Sequence, residues 1–481
     1  MRAIATFKVS GSVAASVFHR SLLTAGLAAA AVAIGLGPLA GVGCGAGSDQ
    51  RADAAAKGRP NIIFILADDL GITDVGCSGG VYKTPNVDAL AQTGLRFEYC
   101  YAMPLCGPSR ATCLTGRYVF RTGVVDNGSG GKATPQKETT IAKVLNQAGY
   151  ATVVAGKWRQ LQYFATVEDG RAWGFDEFLT WGVTGKGERY WDPDYNQNGR
   201  QLTDTKGKYG PDLLHEFVVD FIRRHQERPF FVYYQMVLIH GPILRTPDST
   251  DRSEHYVDNI AYMDKLVGKL VAELDRLNLR EKTLLVFVGD NGSPRGRTVY
   301  ARDIDGRKGS MKEGGSRVPL IVNWKGITPV GRVSKDLVDF SDFFPTLIEV
   351  AGAKLPEGIT IDGHSFAPQL HGQPGKPRES VYVQLGNECY VRDPHWKLTN
   401  RGELLDMKDA PYQEIPVTAG AESPEAAAAR GRLQAALDRL GPIPKPGEAK
   451  QSKLKKDKAA KKENRAAKKA GGRKNREKNS T

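Results

Sequence analysis

Asn61-Ile62-Ile63-Phe64-Ile65-Leu66-Ala67-Asp68-Asp69 is the stretch on which the fold turns. Its continuous apolar run, rich in β-branched residues and without polar alternation, predicts a strand buried on both faces. The run stops at two adjacent carboxylates. The same shape recurs along the chain: Tyr150-Ala151-Thr152-Val153-Val154-Ala155 ends at Gly156-Lys157, and Thr283-Leu284-Leu285-Val286-Phe287-Val288 ends at Gly289-Asp290-Asn291. Pro229-Phe230-Phe231-Val232-Tyr233-Tyr234 leads on to His240.

Amphipathic stretches separate these runs, at 139–148, 212–225 and 255–277. The longest carries Ile260, Met263, Val267, Leu270, Val271, Leu274 and Leu277 at helical spacing. Strand–helix alternation predicts an α/β fold, a large mixed, mostly parallel sheet sandwiched by helices. In such sheets ligands sit beyond the carboxyl ends of the strands. That rule gathers Asp68, Asp69, Lys157, His240, Asp290 and Asn291 into one constellation. Adjacent carboxylates repel, and a buried pair needs a cation. With Asp290 and the Asn291 amide oxygen added, the donor set is all oxygen and suits Ca²⁺ or Mg²⁺ rather than zinc.

Near residue 372 the pattern changes. Tyr382-Val383-Gln384, Cys389-Tyr390-Val391-Arg392, Trp396-Lys397-Leu398 and Glu403-Leu404-Leu405-Asp406 read as short strands separated by turns. They predict a small C-terminal antiparallel sheet, closed by a helix over 424–440. The domain reading is a signal peptide and lead-in at 1–47, a large α/β domain at 58–371 that carries the constellation, a small antiparallel subdomain at 372–444 and a Lys-rich tail at 445–481.

Hydrophobic and charged contents of 41% and 25% are ordinary for a globular chain, but the net charge of +14 is unevenly placed. Residues 445–481 hold 15 Lys/Arg against 4 Asp/Glu, so the tail carries most of the excess and the body is near neutral. With almost no apolar residues, the tail is expected to be disordered. A solvated charge run is its default role; contact with a polyanion is the functional alternative. No nucleic-acid-binding motif accompanies it, so nucleic acid is not an expected partner.

At the other end, Arg2, Lys8 and Arg20 precede a charge-free Ala/Gly/Leu run over 21–43. This reads as an export signal, which places the protein in the periplasm or outside the cell. Lipidation at Cys44 is the minority alternative, since Gly41-Val42-Gly43 lacks the aliphatic residue expected three positions earlier. Apart from Cys44 and Cys106, the cysteines are Cys77, Cys100, Cys113 and Cys389. Four allow three disulfide pairings, which sequence does not distinguish.

The most specific motif is Leu105-Cys106-Gly107-Pro108-Ser109-Arg110-Ala111-Thr112-Cys113-Leu114-Thr115-Gly116-Arg117-Tyr118. On its own it could be a Pro/Gly turn holding a buried cysteine. Arg110 follows Cys106 by one helical turn, so a helix starting here would turn both to one site. Cys106-Gly107-Pro108-Ser109-Arg110 with Leu114-Thr115-Gly116-Arg117 resembles the signature of the type I sulfatases, in the alkaline-phosphatase-like superfamily. The resemblance spans 60–407 and takes in Gly156-Lys157-Trp158, Lys308 ahead of Lys312-Glu313-Gly314-Gly315, Gly174-Phe175-Asp176 and Trp324-Lys325-Gly326.

The resemblance implies a sulfuric ester hydrolase. A formylglycine-generating enzyme would oxidise Cys106 to Cα-formylglycine, whose hydrate attacks sulfur; the alcohol then leaves and the sulfated hydrate collapses to aldehyde and sulfate. It further implies one divalent ion, usually calcium, at Asp68, Asp69, Asp290, Asn291 and the modified Cys106. Arg110 would fix the hydrate, Lys157 and Lys308 would clamp sulfate oxygens, and His240 would protonate the leaving alcohol. Lys312 competes with Lys308 by proximity, but the spacing favours Lys308.

One position departs from the family. Where sulfatases read Gly-Lys-Trp-His, this chain reads Gly156-Lys157-Trp158-Arg159. The missing histidine is a candidate base for sulfate release; Arg159 stays protonated and can only bind a sulfate oxygen. The expected substrate is a sulfated carbohydrate, or another sulfate ester, with Tyr190, Trp191 and Tyr195 able to face a sugar. The alternatives are a phosphodiester or phosphonate-monoester hydrolase of the same superfamily, and a catalytically weak sulfoglycan-binding protein.

Overall fold

A computed structural model describes residues 58–181, 187–418 and 420–441. The signal-peptide and Cys44 readings and the Lys-rich tail lie outside the described residues. Strands run β1 (Asn61–Ala67), β2 (Leu95–Tyr101), β3 (Ala151–Lys157), β4 (Glu177–Trp181), β5 (Tyr195–Gln197), β6 (Arg200–Gln201), β7 (Phe230–Gln235) and β8 (Thr283–Gly289). A short hairpin, β9 (Thr298–Val299) and β10 (Arg302–Asp303), precedes β11 (Arg317–Asn323) and β12 (Arg332–Asp339). The main sheet has ten strands in the order β12-β2-β11-β8-β1-β7-β3-β4-β5-β6.

The apolar runs β8, β1, β7 and β3 are adjacent and parallel at its centre. Their side chains alternate between two cores, as strand geometry requires. Ile62, Phe64 and Leu66 pack with helices Cys106–Thr115, Ile141–Gln147 and Phe343–Val350. Ile63, Ile65 and Ala67 pack with helices Pro85–Gln92, Gly210–Arg224 and His255–Arg276. With a core on each face, no strand position in the centre has a solvent side, and polar residues are few and stand mostly at the strand ends. Each fully buried aliphatic side chain contributes about 1.5–3 kcal/mol.

Antiparallel strands flank this parallel centre: β11 pairs against both β2 and β8, and β5 against β4. The small sheet is β13 (Val381–Leu385), β14 (Glu388–Arg392), β15 (Trp396–Thr399), β16 (Leu404–Asp406) and β17 (Ile415–Pro416), antiparallel throughout. Helix Pro424–Arg439 covers it, capped where the Ser423 hydroxyl accepts from the Ala426 amide at 3.2 Å. Ala426, Ala429, Leu433 and Leu437 are its buried face, and Tyr382, Val391 and Leu398 belong to the same core cluster. Cys77, Cys100, Cys113 and Cys389 are all free thiols, so none of the three pairings forms.

Candidate active site

The parallel strands end on one side of the sheet, and the turns beyond them interlock. The Asp68 amide donates to the Leu238 carbonyl at 2.9 Å, and the Ile239 amide returns a bond to the Asp68 carbonyl at 2.7 Å. The Asp290 amide donates to the Ala67 carbonyl at 3.0 Å, while the Asp69 amide donates to Asp290 Oδ1 at 2.9 Å. Asp69 adopts φ 64°, in the left-handed region that aspartate enters at modest cost. Gly156, beside Lys157, is needed for a harder reason: a Cβ there would stand 1.6 Å from the Gln235 carbonyl oxygen of β7.

Helix Cys106–Thr115 starts at the cysteine, with Cys106 and Arg110 both buried. The one-turn spacing does what it predicted. Arg110 Nε donates to Asp290 Oδ2 at 2.8 Å, its Nη2 lies 3.4 Å from Asp68 Oδ1, and its Nη1 donates to Gln235 Oε1. Lys157 Nζ lies 2.9 Å from both Asp68 oxygens. Lys308 donates to Asp69 Oδ1 and stands 3.6 Å from Cys106 Sγ, which in turn is 3.6 Å from Asp69 Oδ1. His240 Nε2 is 3.8 Å from Asp69 Oδ2. Lys312 is elsewhere, paired with Asp305 on the surface, so of the two lysines it is Lys308 that stands beside Cys106.

Charge is dense here. Burial pushes the Asp68 carboxyl up, but Lys157, His240, Arg110 and Lys308 outweigh it and hold the group far below the carboxylate range. At Asp290 burial wins: with Asp68 and Asp69 nearby, the carboxyl rises to about 6 despite Arg110. Burial also pushes the Cys106 thiol up to about 12, so an unmodified Cys106 is a poor thiolate. Burial lowers His240, partly opposed by Asp68.

The same residues can be tested as a cation site. Single donor atoms of Asp68, Asp69, Cys106 and His240 all lie within 4.8 Å of one another. Asn291 is fully buried, and its Oδ1 has no hydrogen-bond partner among the described residues. A buried amide oxygen left without a donor, beside three carboxylates, is what a hard cation would satisfy. The predicted oxygen set therefore fits a divalent ion, with His240, which the sequence placed in the same constellation but not among the ligands, as an additional neighbour.

Cys106, Arg110, Lys157 and His240 line a narrow pocket of about 90 Å³. A larger groove of about 940 Å³, bordered by Tyr118, Asp362 and Arg378, contains none of the predicted site residues. Arg159 is exposed at the rim of the narrow pocket. Trp181, which ends β4, and three further lining residues escaped the sequence: Asn127, Gln160 and Arg189. Asn127, Gln160 and Arg189 stand on loops or short turns without periodicity, and only the tertiary fold brings them in.

The tyrosine expectation is corrected. Tyr190 and Tyr195 are fully buried and cannot face a sugar. Tyr190 donates to the Val237 carbonyl at 2.9 Å and to the His240 carbonyl; Tyr195 donates to the Arg189 carbonyl at 2.6 Å. They brace the pocket wall. Trp191, half-buried, donates to the Arg245 carbonyl at 2.9 Å.

Comparison with known proteins gives a consistent result. The family model described as Sulfatase matches residues 60–353, and the one described as N-sulphoglucosamine sulphohydrolase, C-terminal, matches residues 305–412. Arylsulfatase D of Homo sapiens is 29% identical over 462 residues, covering 76% of this chain and 77% of that protein. Arylsulfatase A of Homo sapiens is 33% identical over 375 residues, 69% of this chain and 71% of that one. The crystal structure of Ps i-CgsB in complex with k-i-k-neocarrahexaose aligns with a TM-score of 0.68 at 26% identity, covering 81% of this chain and 94% of that one.

Proposed function

The chain belongs to the sulfatase family and is a sulfuric ester hydrolase; from that premise we propose that it removes sulfate from a sulfated carbohydrate, using Cα-formylglycine made from Cys106. One observation carries the reading: Cys106 begins its helix with Sγ 3.6 Å from both Lys308 Nζ and Asp69 Oδ1, inside a ring of strand-end charges. The saccharide assignment draws support from Ps i-CgsB, whose structure holds a neocarrahexaose. Asp68, Asp69, Asp290 and Asn291 would hold one divalent ion, calcium as the family resemblance implies, with magnesium equally suited by the oxygen character of the set.

The formylglycine hydrate, once formed, supplies the nucleophilic oxygen, and the ion adds positive charge beside the sulfate. The remaining work belongs to this chain's own side chains. Lys157 and Lys308 present fixed ammonium groups to the sulfate oxygens, so no solvent must reorganise as charge moves to the leaving oxygen. Arg110, held between Asp290, Asp68 and Gln235, positions residue 106 from one helical turn away. His240 gives its Nε2 proton to the leaving alcohol. Arg159 cannot take a proton back. His240, having just delivered its own, is the neutral base left in the pocket.

The test is mass spectrometry of the peptide containing Cys106, from protein co-produced with a formylglycine-generating enzyme, together with assays of sulfate release. The aldehyde mass in active protein supports the reading; an intact thiol in fully active enzyme overturns it. Phosphate release without sulfate release would favour the phosphonate-monoester alternative instead. The arginine at position 159 favours one second reading, a weak sulfoglycan binder. Sustained turnover that Cys106→Ala abolishes would exclude it. We extend the proposal to an exported enzyme whose basic tail holds it on polyanionic matrix.

A further inference from the structure

Among the paired acidic and basic groups at the strand ends the charges of the protein balance. Asp68, Asp69 and Asp290 face Arg110, Lys157 and Lys308, and every one of these cations lies within ion-pair distance of at least one of those carboxylates. The divalent ion and the single negative charge of a sulfate ester add to a set that is already neutral. Two more cations border the same pocket and stand outside this balance: Arg159 and Arg189. Among the described residues neither lies within ion-pair distance of a carboxylate.

Their placement is built rather than incidental. Trp181 ends β4, is 4% exposed, and its indole N–H donates to the Gly187 carbonyl at 3.1 Å. The Arg189 guanidinium lies 4.0 Å from the centre of that ring and the Arg159 guanidinium 5.9 Å from it. A buried indole face fixes a planar cation that would otherwise sample solvent. Arg189 Nη1 also stands 3.0 Å from His240 Nδ1, so it borders the position of the leaving group.

A third group points the same way. Gln160 is fully buried and lines the pocket; its Oε1 accepts from the Arg159 amide at 2.9 Å. Its Nε2 has no hydrogen-bond partner among the described residues. A buried donor without an acceptor costs roughly 1–3 kcal/mol until a ligand supplies one. Two unbalanced guanidinium groups and an unmet amide donor together describe a site for an oxyanion.

Resting on the sulfatase reading above, we propose that Arg159, Arg189 and Gln160 form a second anion subsite beside the sulfate being cleaved. The substrate is then a sugar carrying two anionic groups close together: the scissile sulfate and a neighbouring sulfate or carboxylate. The arginine standing where the sulfatase motif has a histidine gains a task, and Arg189 becomes a specificity residue. Neutral neighbours of the sulfate leave two guanidinium groups and an amide facing the ligand without acceptors, so singly charged esters are discriminated against.

The experiment compares kcat/KM for para-nitrophenyl sulfate, its ortho-carboxylate, its neutral ortho-carboxamide, and nitrocatechol disulfate. Wild-type enzyme is expected to favour at least one dianionic probe over the carboxamide roughly tenfold, the size of two partly exposed charge contacts. Whichever dianion wins identifies carboxylate or sulfate as the second group. Arg159→Ala and Arg189→Ala each reduce that ratio, and the double variant brings it near unity. The ratio is the readout because Arg189 also touches His240, whose changes affect all probes alike.

The same probes are titrated calorimetrically into Cys106→Ser protein, where the dianion should bind about tenfold tighter at low salt and lose that margin as salt rises. Equal kcat/KM for all sulfate probes, or equal affinity in the Cys106→Ser protein, overturns the subsite while the sulfatase reading stands. Absence of sulfate release from aldehyde-bearing protein overturns the sulfatase reading, and the binding arm still judges the subsite.

Discussion

Replacing Arg392 by methionine should destabilise the protein by about 3 kcal/mol, because it strips the main partner from a carboxylate that has no access to water. Arg392, in β14, is 1% exposed, and its Nη1 donates to Glu313 Oε1 at 2.6 Å. It also donates to the Tyr101 hydroxyl and, at 3.1 Å, to the Pro394 carbonyl. Glu313 is fully buried; its remaining partners are the Tyr101 hydroxyl at 3.0 Å and Arg317 Nη1 at 3.5 Å. Burial pushes the Glu313 carboxyl up, yet Arg392, Arg317 and Lys397 outweigh it and keep the group ionised. Breaking one side of such a pair costs roughly 3–5 kcal/mol, and the low end applies because Arg317 and Tyr101 stay. Methionine fills the space of the arginine stem, so cavity cost is minor. Urea unfolding followed by tryptophan fluorescence at neutral pH reads the loss as a lower midpoint at unchanged slope. Adding Glu313→Gln should return about 2 kcal/mol, since an amide buried there carries no charge. A loss below about 1 kcal/mol for the single variant, or no recovery in the double, would refute the electrostatic argument.

Three further outcomes follow from the same reasoning. Burial pushes Asp74 up to about 7 despite bonds from the Gly71 amide, Ser293 and Tyr256. A carboxyl raised on folding gives its full stability below about pH 4 and loses it as pH climbs to about 7, so Asp74→Asn should gain up to about 4 kcal/mol on wild type across that window in urea titrations; parallel curves exclude it. Gly156→Ala, forced against the Gln235 carbonyl at φ 115°, should cost about 3 kcal/mol, whereas Gly326→Ala at φ 82° in open space should cost about 1; similar melting shifts for both would contradict the steric reading. Deleting Lys445–Thr481, a segment of 15 Lys/Arg against 4 Asp/Glu, should lower the salt needed to elute the protein from a heparin resin and leave para-nitrophenyl sulfate turnover intact; unchanged elution removes the tail from consideration.

The central strands were legible because both of their faces are buried. β1, β3, β7 and β8 contain almost nothing polar, so composition alone separates them from helices and loops. β2 and β12 were not legible: Arg96 and Glu98 interrupt the first, and Arg332, Lys335 and Asp336 charge the second, because one side of each meets solvent over part of its length. β5 and β6, at three and two residues, are too short to leave a period. The site divides the same way. Residues at ends of central strands were found because a sheet edge gathers them, whereas Gln235, one residue past the apolar run of β7, and Arg189, between β4 and β5, carry no periodic signal of their own. Helix Ile141–Gln147 starts two residues later than its amphipathic pattern because Thr140 accepts from the Lys143 amide at 3.1 Å and caps it.

Position 159 separates two accounts of this enzyme. If arginine merely damaged an ancestral base, then Arg159→His would raise turnover of every sulfate ester by a common factor, and the ratio between dianionic and monoanionic substrates would not move. If arginine reads a second charge, the same change lowers that ratio while leaving Arg189 and Gln160 to hold part of it. The pocket geometry favours the second account. A base must approach residue 106, but the Arg159 side chain is exposed at the rim and lies over Trp181, the ring that also holds Arg189. A vestigial arginine has no reason to share an indole with a second unpaired guanidinium beside an amide that lacks an acceptor. Proton removal then falls to His240, so a variant lacking that imidazole should lose both leaving-group protonation and sulfate release, accumulating neither product. Release of sulfate from the sulfated intermediate of a His240→Gln variant at the wild-type rate would show that a separate base acts in the second step and would return position 159 to the question of chemistry.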